Sequence, residues 1–347
     1  MQSNDIRIRL ADTADASRWD SFLDEQSGRS YACHAWSDIL ECCYGATPRF
    51  LIAEKADGTV RGILAGYINR GSHGSPSVYS VRHGLVAADD HAYSALLTSC
   101  RTEVETIGAR SAMITSGLHA PPDGTKFVER TSMILRLGAD EKETLSRLRR
   151  ETRAGIKRSV KRGAETEWGF QNLNAFYEVY SQNMLALGAS LHRLQFFEEL
   201  AKRLSDKADL IVVRAEGRIV AGMIVLWSSN TLDLVYGAWL REYAHVVPYQ
   251  RMYWDAIAEG QRRGIRLVDM GESRKDSGTW RYKRNFGGES VPIYYLAMPE
   301  GDLPNDHNEN PERNPLNHGF RNRWLKRLPS VVRRKVALAR ASRGRII

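Results

Sequence analysis

The 347-residue chain lacks the features that would place it in several large classes. No window approaches the ~18 to 20 uninterrupted apolar residues of a membrane-spanning helix. The opening MQSNDIRIRLADTADASRWD has no apolar core ahead of a small-residue cleavage site. No signal peptide is therefore expected, and the expected location is cytoplasmic. Cysteines are few: Cys33, Cys42, Cys43 and Cys100 show no zinc spacing and suit reduced thiols. There is no G-x-x-x-x-G-K-[ST], no G-x-G-x-x-G after a strand and no G-x-S-x-G, which argues against a P-loop, a dinucleotide-binding turn and a serine-hydrolase elbow. The histidines form neither H-E-x-x-H nor another tight pair, so no metal and no cofactor are expected. His34, His192 and His245 read as ordinary surface or hydrogen-bonding residues.

What is present is an ordinary soluble composition, 42% hydrophobic and 26% charged, enough for one large or two medium domains. Charge is distributed unevenly. The whole chain carries +9, yet ten Lys or Arg residues and no Asp or Glu lie from His318 onward, so the preceding body is close to neutral. Trp324, Leu325, Leu328, Val332 and Val336 fall near one side of that tail, interrupted at Pro329. A basic amphipathic tail suits an anionic membrane surface or RNA. Peripheral contact at the inner membrane face is expected of it. DNA is not among the expected partners.

Periodicity gives a mixed α+β order. Helices are expected at 17–26, 34–43, 91–108, 172–187, 193–204 and 249–263, and one long helix at 140–162. Strands are expected at 49–55 and 59–67 around Asp57-Gly58, at 111–115, 131–137, 265–269 and 291–297. Three apolar runs, 209–215, 219–227 and 231–239, read as an antiparallel meander. Residues 71–77 and 271–280 read as loops, and 299–317 as a linker. In the 140–162 helix, Arg147, Arg150, Lys157 and Lys161 share one stripe, while Leu145, Leu148, Ile156 and Val160 share another. The order of elements is similar in the two halves, which suggests a duplicated α+β lobe. The lobes are expected at 1–145 and 146–298, with linker and tail at 299–347.

Three stretches resemble the FemAB-like branch of the GNAT acyltransferase superfamily. The first is His34-Ala35-Trp36, Tyr44-Gly45, Pro48, Asp57-Gly58 and Gly62. The second is Arg149, Arg153, Ile156-Lys157-Arg158, Lys161 and Gly163, which is similar to that family's basic helix. The third is Pro248, Tyr253-Trp254, Gly264, Asp269 through Ser273, Gly278, Tyr282-Lys283 and Gly287. The tail, with Asn314-Pro315, Trp324 and Leu328-Pro329, looks like that of FemAB-like proteins of exopolysaccharide and exosortase loci. The resemblance implies two GNAT-like lobes in tandem, each a mixed, largely antiparallel sheet flanked by helices. It also implies transfer of an aminoacyl or acyl group to an amine of a cell-envelope precursor, from peptidoglycan or a lipid-linked precursor. The donor is aminoacyl-tRNA or acyl-CoA.

Amide formation needs a proton acceptor for the amine and a cation or hydrogen-bond donors near the oxyanion. Asp269, Glu272 and Lys283 are the candidate catalytic residues. Trp36, Tyr236, Tyr249, Arg274 and Tyr282 are candidates for substrate binding. Arg149, Arg150, Arg153, Lys157 and Lys161 are candidate RNA or phosphate contacts. A plainer reading stands beside these: Asp269 caps a turn, Glu272 pairs with Arg274, and Lys283 is solvated. Two departures stand out. Glu272-Ser273 occupies the place where the family often has Arg-Ser. The segment Arg241–Pro248 has no glycine turn for an acyl-CoA pyrophosphate, and Pro248 has no N–H. This favours charged tRNA over acyl-CoA as donor. An acyl-CoA-dependent N-acyltransferase acting on an exopolysaccharide or amino sugar is one alternative. A non-catalytic polyanion- or membrane-binding accessory protein is the other.

Overall fold

Two apolar runs of this chain, Val60–Arg70 and Arg218–Trp227, are buried over nearly their whole length. Strands with that pattern are covered on both faces, so each must lie inside a sheet flanked by helices. The computed structural model describes residues 6–70, 76–109, 111–117, 120–187, 189–298, 334–336 and 338–339. The described chain forms two units. One holds residues up to Arg130 together with those from Pro292 to Met298. The other holds Thr131–Val291 and the described residues of 334–339.

In the first unit the elements are β1 (Arg7–Leu10), α1 (Ala16–Glu25), α2 (Trp36–Tyr44), β2 (Thr47–Glu54), β3 (Val60–Arg70), β4 (Pro76–Ala87), α3 (Asp90–Thr106) and β5 (Ala112–Gly117). Strands β1 to β4 pair antiparallel in sequence order, and β4 then pairs parallel with β5. The α3 helix starts where Asp89 accepts the Ala92 N–H, and it packs on β2, β3 and β4. Trp19 of α1 and Trp36 of α2 are fully buried, and each indole N–H donates to a backbone carbonyl, of Ala32 and Ser30 respectively, at 2.8 Å.

The second unit contains β6 (Val128–Arg136), α4 (Glu141–Arg147), α5 (Arg150–Lys161), β7 (Glu165–Trp168), α6 (Leu173–Leu187), α7 (Leu194–Arg203), β8 (Ala208–Ala215), β9 (Arg218–Trp227), β10 (Thr231–Trp239), α8 (Pro248–Arg262), β11 (Leu267–Glu272) and α9 (Gly278–Asn285). Strands β7 to β10 form an antiparallel series, β10 pairs parallel with β11, and β11 pairs antiparallel with β6. Helix α6 covers β9 and β10, and α8 packs on β8 and β9 and against α5. The last strand, β12 (Glu289–Met298), pairs antiparallel with β5 and so completes the sheet of the first unit. Each unit therefore has the same plan: four antiparallel strands, a parallel neighbour, then an antiparallel strand supplied from elsewhere in the chain. The expected α+β class and paired lobes stand. The chain changes unit at Arg130/Thr131 and again at Pro292, where the sequence reading divides it at 145/146 and 298/299.

Several local expectations need correction. The helix expected at 140–162 is two helices. Asp140 caps α4 by accepting the Glu143 N–H, and Leu148 and Arg149 are extended, with ψ 147° and 150°. The break buries the Leu148 side chain and lets the Arg149 N–H reach the Asn285 carbonyl. The expected apolar stripe is also only partly right. The inward face of α5 is Thr152, Gly155, Ile156 and Ser159, while Val160 is 53% exposed. Residues 271–280 are not all loop, because β11 runs to Glu272 and α9 begins at Gly278, capped by Ser277. Strands β1, β4 and β7 escaped the periodicity reading. Of the loop expected at 71–77, Pro76 and Ser77 open β4 and the rest lies outside the described residues. The linker at 299–317 and most of the basic tail also lie outside them. Within the described part of the tail, the Arg334 guanidinium sits over the Tyr177 ring at 6.0 Å.

Candidate active site

The site is built where two parallel strands separate. β10 and β11 pair over Thr231–Asp233 against Leu267–Asp269, and the paired register ends there. Beyond it β10 continues to Trp239 along β9, with a bulge between Leu234 and Tyr236, and β11 bulges between Asp269 and Glu272 against β6. Parting strands at the carboxyl end of a parallel pair leave a natural place for a ligand.

Asp269 is the last paired residue of β11 and is 2% exposed. Its Oδ1 accepts from the Ser132 hydroxyl at 2.6 Å and from the Gly271 N–H at 2.7 Å. The second bond forms because Gly271 takes φ +81°, a left-handed conformation that glycine adopts at little cost. The bulge turns two carbonyls, of Gly271 and Glu272, toward α9. Lys283 of α9 donates to both, at 3.0 and 3.1 Å, and is 5% exposed. The plainer reading of Lys283 as a solvated cation is thereby corrected. Helix α9 exists to bring it there: Ser277 caps the helix, and Trp280 and Lys283 share its buried face. Glu272 contributes its carbonyl to Lys283 and stands opposite Ser132 of β6. Arg274 is exposed, and its carbonyl accepts the Ser277 N–H.

Tyr282 lies one residue before Lys283. Its ring packs against Tyr249 at 5.1 Å, Tyr253 at 5.6 Å and Phe286 at 5.2 Å. The hydroxyls of Tyr249 and Tyr253 are 2.9 Å apart. The Tyr282 hydroxyl is buried and has no hydrogen-bond partner among the described residues. Burial pushes all three phenols above their ordinary pKa, so they are neutral donors at any physiological pH. Tyr249 and Tyr282 thus come together between α8 and α9, while Lys283, the next residue of α9, turns to the β11 bulge.

Tyr236 turns to a different group. Its ring meets His192, Phe196 and Phe197 edge-on, at 5.3 to 5.5 Å between centroids. Burial pushes the His192 imidazole down to about 4, so the ring is neutral. His192, expected as an ordinary surface or hydrogen-bonding residue, is a half-buried part of an aromatic group, and its carbonyl accepts from the Tyr177 hydroxyl at 3.1 Å. Trp36 belongs to the core of the first unit, where its ring is fully buried and stacks on Tyr31 at 6.4 Å. That burial leaves its indole no exposed surface for a substrate. The basic-helix residues divide into two kinds. Arg153 spends its guanidinium on the Ser146 carbonyl, at 2.9 Å, and on that of Leu148. Arg149, Arg150, Lys157 and Lys161 are exposed.

Sequence reasoning missed Asp233. It stands directly opposite Asp269 on β10, is 2% exposed, and offers a carboxylate oxygen within 4.8 Å of one from Asp269. The available signal was a single charge inside the apolar run Thr231-Leu-Asp-Leu-Val.

Residues 145–284, which include Asp233, Asp269, Tyr249, Tyr282 and Lys283, match the family model described as an acetyltransferase (GNAT) domain. Over that stretch, and not over the chain as a whole, the sequence is that of a GNAT domain. Among solved structures it is similar to FemX, with a TM-score of 0.66 and 15% identity over 83% of this chain and 96% of that one. A tandem GNAT protein from the clavulanic acid biosynthesis pathway gives a TM-score of 0.54 at 11% identity, covering 84% and 98%. The L-PGS of Bacillus licheniformis gives 0.53 at 13%, covering 83% and 92%. At these identities the likeness is one of fold. No curated protein matches the sequence. The GNAT resemblance read from the residues is borne out, and so is the tandem-lobed fold. Among the described residues no helix is long and apolar enough to cross a membrane.

Proposed function

We propose that this GNAT chain is a FemAB-like transferase that joins an aminoacyl group to an amine of a cell-envelope precursor, with aminoacyl-tRNA as donor. The observation that carries this reading is the Lys283 ammonium, buried at the strand parting and fixed by the Gly271 and Glu272 carbonyls. A fixed cation in a water-poor place stabilises a developing oxyanion at no reorganisation cost. Asp269, held in one orientation by Ser132 and Gly271, is the proton acceptor beside it. The Tyr282 hydroxyl supplies a further neutral donor for the substrate.

In the reaction the acceptor nitrogen attacks the ester carbonyl carbon. The C–N bond forms, charge gathers on the carbonyl oxygen near Lys283, and the amine proton passes to Asp269. The ester C–O bond then breaks, and the departing ribose oxygen takes up that proton from Asp269, which returns to its carboxylate. The start of α8 supports an ester donor over a thioester of coenzyme A. Val247, a β-branched residue, holds the left-handed conformation at φ 58°, ψ 43° ahead of Pro248. A glycine turn offering successive N–H groups to a pyrophosphate is replaced there by a strained residue and an imino acid.

The test is a paired titration of the purified protein with a pool of aminoacyl-tRNA and with acetyl-CoA, using uncharged tRNA as control. Preference for charged over uncharged tRNA, followed by transfer that Lys283→Met removes, is the expected result. Saturable acetyl-CoA binding with no preference for charged tRNA would overturn it in favour of acyl-CoA chemistry.

A further inference from the structure

We propose that the outward face of α5 is a surface that tracks the phosphates of RNA, and that α9 ties its N-terminal end to the Lys283 site. The inference rests on the aminoacyl-tRNA reading above. Arg149, Arg150, Lys157, Arg158 and Lys161 are all exposed, and none has an ion pair among the described residues. Cations beside them are used otherwise. Arg147 pairs with Glu143, Arg153 caps two carbonyls, and Arg162 donates to the His245 carbonyl. The unneutralised charges are thus a selected subset, gathered along one helix that holds a single carboxylate, Glu151.

The geometry suits a polyanion. From Arg150 to Lys161 the helix rises about 16 Å at ~1.5 Å per residue, long enough to lie along several successive phosphates of one strand. The opposite face is committed to α8 through Thr152, Gly155, Ile156 and Ser159. A bilayer would want bulky apolar side chains to insert. The outward face offers only Val160 and Ala154. The N-terminal end of α5 is fixed to the site helix. The Arg149 N–H and the Thr152 hydroxyl both donate to the Asn285 carbonyl, each at 3.1 Å, and Asn285 lies two residues beyond Lys283. A strand running down α5 toward Arg149 therefore ends at α9, which also carries Tyr282 and Lys283.

The experiment measures binding of deacylated tRNA to the full chain across 50 to 200 mM salt. Three proteins are compared: wild type, Lys157→Gln/Arg158→Gln/Lys161→Gln, and a control of equal charge change elsewhere, Lys142→Gln/Lys202→Gln/Arg241→Gln. Loss of three phosphate contacts should flatten the log–log salt slope by about 2.7. The affinity lost across that salt range would then shrink about 40-fold. The control should keep the wild-type slope. The proposal is overturned if the α5 variant keeps the wild-type slope, or if both variants flatten it equally. It is also overturned if the α5 variant loses binding only to phosphatidylglycerol vesicles. Failure here is separable from failure of the transferase reading. A flattened slope in a protein that transfers nothing leaves the surface in place, and transfer with an unchanged slope removes the surface alone.

Discussion

Replacing Tyr282 by Phe is the substitution with the most informative signature. The ring would remain in its aromatic group with Tyr249, Tyr253 and Phe286, so packing is conserved. Only a buried hydroxyl without a partner among the described residues is removed. Leaving such a group unsatisfied costs about 1–3 kcal/mol, and deleting it returns that cost. Tyr282→Phe should therefore raise stability by about 1 kcal/mol, or ~2–4 °C in Tm for a unit of this size. If the hydroxyl serves a substrate, the same change should lower kcat/KM about tenfold, the loss of one neutral hydrogen bond. Thermal unfolding and aminoacyl transfer on the same preparation check both halves. A more stable but slower enzyme is the expected pair. Loss of stability with transfer intact would refute the reasoning, because the hydroxyl would then be a structural bond and nothing more.

Further predictions follow from the same geometry. Lys283→Met should cut transfer by about 10² or more, and Lys283→Arg should not restore it, since a planar guanidinium cannot replace an ammonium between two carbonyls. Steady-state kinetics of both variants checks this. Gly222→Ala should destabilise the second unit by about 1–3 kcal/mol, because a Cβ there would fall 2.5 Å from Cδ2 of the fully buried Phe176. Denaturant unfolding should show Phe176→Leu offsetting part of that loss. His192 is held near 4, below the ~6.5 of an unfolded histidine, so the unfolded chain binds the extra proton first as pH falls. Stability present above pH ~6.5 should decline by up to about 3 kcal/mol toward pH 4, and His192→Gln should remove that share of the decline. Tm measured at pH 7 and pH 4.5 in both proteins decides it.

Much of the fold was legible because period and turn chemistry agree in it. The meander β8–β10 follows from three apolar runs joined by Glu216-Gly217 and Ser229-Asn230, and α8 from an unbroken amphipathic run after Pro248. The break between α4 and α5 was not legible. No Pro or Gly marks it, and it is imposed by burial of Leu148 and by the Asn285 carbonyl, more than 130 positions away in sequence. Strand β4 was hidden because its apolar residues do not alternate cleanly, and β7 because a four-residue strand carries too little pattern.

The site was legible as a stretch, 269–287, but its internal logic was not. Asp269 and Lys283 can be named from a polar loop after an apolar strand, yet sequence gives no reason to bury Lys283. That reason is α9, which begins at Gly278 inside the expected loop 271–280 and brings Lys283, whose plainer reading was a solvated cation, onto a buried face. Once folded, the helix takes Lys283 out of water only because the β11 bulge presents two carbonyls to it, and the bulge in turn depends on the left-handed turn at Gly271. Asp233 was missed for the converse reason. A lone carboxylate inside an apolar strand is costly to bury, and its meaning emerges only when the parallel register sets it beside Asp269. The chemistry proposed for this chain thus resides in register, which sets Asp233 opposite Asp269, and in bulge geometry, which holds Lys283 on two carbonyls, more than in any linear motif.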